Sequence, residues 1–118
     1  KDFHYKSWQP HYVMAVGFPA KYSTRRNHSF SAYEAFSEMI KKALEAKGWK
    51  LLKEDVERHQ LIAQIPASGS MTLGELCKIQ FDKRSYVVES RCILFTQFVD
   101  FGKNKKNVKS FLSVVNSL

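Results

Sequence analysis

The sequence has 118 residues, 44% of them hydrophobic and 25% charged, which excludes a disordered or fibrous chain and fits one domain able to bury a core unaided. Lysine and arginine number 19 against 11 aspartate and glutamate, a formal net charge of +8. No apolar run approaches the ~20 residues of a membrane-spanning helix.

The first residue is Lys1 rather than Met, so the sequence reads as a processed chain or an excised domain. Residues 1–29 form an irregular basic and aromatic segment suited to covering a sheet edge. Within it, residues 13–18 predict a first strand ended by Pro19, and the polar run 22–29 predicts a loop. The clearest helix spans 31–47. Ser31 and Glu34 have capping-box spacing, and Ala32, Phe36, Met39, Ile40, Ala43 and Leu44 recur on one face. Glu38–Lys42 and Lys41–Glu45 are i,i+4 pairs on the other, and Gly48 suits a left-handed end.

From Trp49 the period changes to two. Residues 49–54 and 60–65 predict a hairpin closed by 55–59, and 66–70 a second turn. In 75–82, Cys77, Ile79 and Phe81 point inward while Lys78, Gln80 and Asp82 point outward. A turn at 83–85 leads to 86–94, where Tyr86, Val88, Ser90, Cys92 and Leu94 share a face. Short turns require antiparallel neighbours. A last helix follows, with Asn104 as its predicted N-cap and an apolar stripe of Val108, Phe111, Leu112, Val115 and Leu118. The expected fold is α+β: a four- to five-stranded antiparallel sheet with two helices on one face, in the order (β)-α-β-β-β-β-α. Residues 30–118 make its single domain.

No motif carries catalysis. The four histidines lack metal-site spacing, and GxSxG, P-loop and GxGxxG patterns are absent from the sequence. Glu54, Asp55 and Glu57 cluster at a hairpin turn and read as solvated surface. Cys77 and Cys92 read as buried, reduced thiols in strand interiors. The reading is therefore of a protein without enzymatic activity or cofactor.

Charge distribution is more informative. Residues 1–26 and residues 101–118 each carry a net +4, around a neutral middle. Lys103, Lys105 and Lys106 crowd the start of the last helix, where the helix dipole already presents partial positive charge. Lysines beside a helix N-terminus suit an anion such as a phosphate group. Lys103, Asn104, Lys105, Lys106 and Lys109, with Arg25 and Arg26, are the candidate anion-binding residues. Asp100, Phe101 and Gly102 form a structural corner before the helix, with Gly102 expected at positive φ.

The Gly48-Trp49 junction, Gly74-Glu75, Ser90-Arg91-Cys92, Thr96-Gln97 and the run from Phe98 through Asp100-Phe101-Gly102-Lys103-Asn104 to Val108 carry a resemblance. Over residues 30–118 the chain resembles an uncharacterised family of small bacterial domains, often found in chains that also carry membrane segments. Phe101 stands where that family has tryptophan. The resemblance implies a fold and a membrane context, with no activity attached. Together with the charge, it predicts a binding or accessory domain, cytoplasmic and tethered at a membrane, facing anionic lipid headgroups or an acidic protein. The alternative is a nucleic-acid-binding module. The helix order and the lysines resemble double-stranded-RNA-binding domains, with one strand too many and no matching loop before the lysines.

Overall fold

The computed structural model describes residues 20–67, 74–93 and 102–118. Five strands and two helices follow one another as β1 (Lys21–Asn27), α1 (Tyr33–Lys47), β2 (Lys50–Asp55), β3 (Gln60–Ile65), β4 (Glu75–Phe81), β5 (Ser85–Cys92) and α2 (Lys103–Asn116). The strands form one antiparallel sheet in the order β1-β5-β4-β3-β2. This is the expected α+β architecture. The meander from β2 to β5 follows from its turns, which are too short for crossovers.

Among the described residues, the first strand falls where a loop was expected. It is Lys21–Asn27, the polar stretch read as a loop, pairing Tyr22 with Ser90 and Arg25 with Val87. Residues 13–18 lie outside the described residues. An edge strand takes its order from its neighbour's backbone, so its own sequence shows little apolar alternation, and its cations protect the edge. The domain therefore begins before residue 30.

Helix α1 also starts later than predicted. Its N-cap is Ala32, without a side-chain cap bond, and the first helical bond runs from the Phe36 N–H to the Ala32 carbonyl. Ser31 thus sits one position too early to cap. Gly48 ends the helix at φ +73°, with its N–H bonded to the Glu45 carbonyl. Lys41 does not pair with Glu45; it reaches Glu54 on β2 at 2.8 Å and lies 3.9 Å from Glu38.

The parity of the strands is as predicted. Leu61, Ala63 and Ile65 join Cys77, Ile79, Phe81, Tyr86 and Val88 in one core with Phe36, Ile40, Ala43, Leu44, Val108, Phe111 and Leu112, so both helices cover one sheet face. Phe36 lies 4.8 Å from Phe81 and 5.2 Å from Tyr86 between ring centres, and Phe111 stacks on Trp49 at 5.5 Å. Cys77 and Cys92 are buried and form no disulfide, and burial pushes the Cys77 thiol well above its ordinary value. Leu94, assigned to the same face, lies outside the described residues. Among the described residues, no helix is long and apolar enough to cross a membrane.

Candidate anion-binding surface

Helix α2 begins at Gly102, whose φ of +84° explains the glycine: a side chain there would strain the backbone. The Lys106 N–H bonds the Gly102 carbonyl at 3.0 Å to open the helical ladder. No acid occupies the first turn. Lys103 and Lys105 are half-buried, while Lys106 and Lys109 are exposed. Gly102, Lys105, Lys106, Lys109 and Ser110 line an open groove of about 540 Å³. The Ser110 hydroxyl donates to the Asn107 carbonyl. Asp100 and Phe101 lie outside the described residues.

The opposite side of these turns overturns one assignment. Asn104 is neither the N-cap nor an exposed anion ligand; it sits in the first turn, fully buried. Its amide donates to the Ala20 carbonyl at 3.0 Å, and its oxygen accepts the Ser90 hydroxyl at 2.8 Å. One turn on, Asn107 donates to Glu75 Oε1 at 2.9 Å and to Ser90 Oγ at 3.1 Å. Glu75 is fully buried, and its Oε2 has no hydrogen-bond partner among the described residues. Two asparagines thus pin the helix to β4, β5 and the residue that precedes β1, and the same pin turns the lysines outward. In the sequence, Glu75 and Asn107 entered only as part of the family resemblance, with no role assigned to either. The inward parity of β4 predicts Glu75's burial, and the three-residue step from Asn104 puts Asn107 on the buried stripe.

Arg25 and Arg26 do not join the lysines. They pair with Val87 and Tyr86, three and four residues along β5 from Ser90, about 10–13 Å away at the rise of a strand. Alternation also sends the two side chains to opposite sheet faces. Arg25 is bonded to Asp82 at 2.9 Å and to Ser85 Oγ at 2.6 Å, while Arg26 donates to Thr24 Oγ1. The predicted set is divided between two ends of the sheet.

Glu54, read as surface, is instead the centre of a clamp between α1 and β2. Its Oε2 accepts the Tyr33 hydroxyl at 2.8 Å and the Ser37 hydroxyl at 2.9 Å, and Lys41 Nζ meets its Oε1 at 2.8 Å. The Lys41 bond holds the Glu54 carboxyl below the usual carboxylate range against the effect of burial. Lys41 is raised by the same bond. Burial, with the bond to Glu54, pushes the Tyr33 hydroxyl up to about 12. Serine, lysine, tyrosine and glutamate side by side resemble a proton-transfer set, but each donor is aimed at the one carboxylate and Ser37 is buried. The arrangement is a structural lock. Tyr33's folded value lies above its unfolded value of 10.0, so its contribution is complete below pH 10 and is lost as pH rises toward 12. We expect roughly 1–2 kcal/mol to disappear over that window, solvent screening reducing the full linkage value. Urea midpoints measured from pH 9 to 12 should fall less steeply in Tyr33→Phe than in the unaltered chain.

No protein-family model and no curated protein sequence matches the chain. Among the described residues, no group of three or more His, Cys, Asp or Glu side chains could hold a metal ion.

Proposed function

We propose that this domain is a non-enzymatic binding or accessory module that engages an anionic surface near a membrane, bilayer headgroups first among them. The carrying observation is the set of lysines on the outer side of the first two turns of α2, with no acid in the first turn, while Asn104 and Asn107 fix the inner side to the sheet. Cations at a helix N-terminus cost a few tenths of a kcal/mol each when exposed, so stability alone favours other residues there. A negatively charged surface converts that cost into attraction, worth about 1 kcal/mol for each lysine held close to it.

Co-sedimentation with vesicles tests the proposal. The domain should partition onto phosphatidylserine-containing vesicles at low salt, release at high salt, and ignore pure phosphatidylcholine. The triple variant Lys105→Ala/Lys106→Ala/Lys109→Ala should lose roughly 100-fold in partitioning. Equal partitioning onto neutral and anionic vesicles overturns the reading. Retention on duplex RNA with a steep salt dependence, in the absence of vesicle binding, replaces it with a nucleic-acid-binding module. The double variant Lys105→Ala/Lys106→Ala should keep its unfolding free energy in urea or gain up to about 1 kcal/mol, because alanine relieves the conflict with the dipole. That separates lost binding from lost folding.

A further inference from the structure

The far end of the sheet carries a second cationic cleft, built around His28. The chain leaving β1 crosses the β4–β5 turn, is fastened to it by two hydrogen bonds, and is braced by a third within itself. The His28 N–H donates to the Arg84 carbonyl at 2.9 Å, and Nε2 lies 2.7 Å from the Asp82 carbonyl. Nδ1 accepts the Phe30 N–H at 3.0 Å. Since Nδ1 is the acceptor, Nε2 carries the proton toward Asp82. The ring also stacks on Phe81 at 4.6 Å. Both nitrogens are occupied, so His28 braces two chain segments and leaves ligand contact to its neighbours.

Those segments are the walls of an open cleft of about 610 Å³ lined by Asn27, His28, Ser29, Phe30, Lys83 and Arg84. Asp82, the acid in this turn, is occupied by Arg25 at 2.9 Å. The exposed Lys83 and Arg84 side chains make no ion pair among the described residues. Two cations therefore border a cleft whose other wall includes the polar residues Asn27 and Ser29.

We propose that this cleft binds a phosphorylated small molecule of nucleotide size, its phosphate held by Lys83 and Arg84. Guanidinium and ammonium beside neutral donors suit a phosphate monoester. The volume lies within the range of small-molecule sites and exceeds what phosphate alone would fill. The site is separate from the lysine groove of α2, and neither proposal depends on the other.

Titration of the full chain with a mononucleotide and with inorganic phosphate, followed by backbone amide NMR shifts, decides the matter. Saturable shifts should centre on residues 27–30 and 83–84, with the mononucleotide binding at least about tenfold more tightly. Lys83→Ala/Arg84→Ala should weaken mononucleotide binding by roughly 30-fold or more. It should still fold, because His28 grips the main-chain carbonyl of Arg84 rather than its side chain. Lys105→Ala/Lys106→Ala should leave this binding unchanged. Shifts that never saturate, that persist in Lys83→Ala/Arg84→Ala, or that centre on α2 overturn the site. Equal affinity for the two probes overturns the nucleotide-sized ligand.

Discussion

Replacing Gly74 by alanine should destabilise the domain by about 3 kcal/mol or more. Gly74 precedes β4 at φ +103°, a conformation L-residues rarely adopt. An added Cβ would stand 2.7 Å from the Ile65 carbonyl oxygen and 3.2 Å from the Ala67 nitrogen. Both obstacles are backbone, so no side-chain rotation relieves them. Ile65 is paired with Glu75 and buried in the core, so moving it disturbs the β3–β4 ladder as well. Gly48→Ala provides the comparison, because φ is +73° there with nothing within 4 Å of the added carbon. That change should cost only about 1 kcal/mol of left-handed strain. Urea unfolding of the two variants measures the difference. Similar midpoints would mean that the approach of Gly74 to Ile65 is not tight.

Asn107→Ala should cost about 2–3 kcal/mol, as expected for leaving a buried polar group without its hydrogen-bond donor. Asn107 donates to Glu75 Oε1, and Oε2 already lacks a partner among the described residues. The substitution leaves a fully buried carboxyl group without a donor in that set, and takes a donor from Ser90. Glu75→Leu/Asn107→Leu should recover most of the loss, since removing both polar partners together avoids the orphan. A double-mutant cycle should then give a coupling of about 2 kcal/mol or more. A single Asn107→Ala change costing under about 1 kcal/mol would show that Glu75 is supported elsewhere. The polar pin matters beyond stability, because it sets which face of α2 turns its lysines outward.

The amino-acid sequence by itself determined the elements whose stability is local. The stripe Phe36-Ile40-Ala43-Leu44 defined α1, and the alternation Cys77-Ile79-Phe81 with Tyr86-Val88-Ser90 defined the inward face of β4 and β5. Short turns then made the meander antiparallel. Gly48 and Gly102 were readable because few other residues accept a left-handed backbone.

Tertiary structure alone decided the rest. Lys21–Asn27 becomes a strand because β5 supplies hydrogen-bonding partners 58 to 70 residues away in sequence, and no property of a polar heptapeptide announces that. Asn104 has the residue type of an N-cap, yet burial against Ser90 and Ala20 makes it a strut. Glu54 sits beside a turn, yet Tyr33, Ser37 and Lys41 reach it across the α1–β2 contact. The cations divided for the same reason. Lys105 and Arg25 share a sign in the sequence, but antiparallel pairing carries Arg25 away from the Ser90 end where α2 begins and toward the turn that bears Lys83 and Arg84. A buried polar group or a surface charge acquires its role from partners distant in the chain. That juxtaposition exists only once the strands have paired.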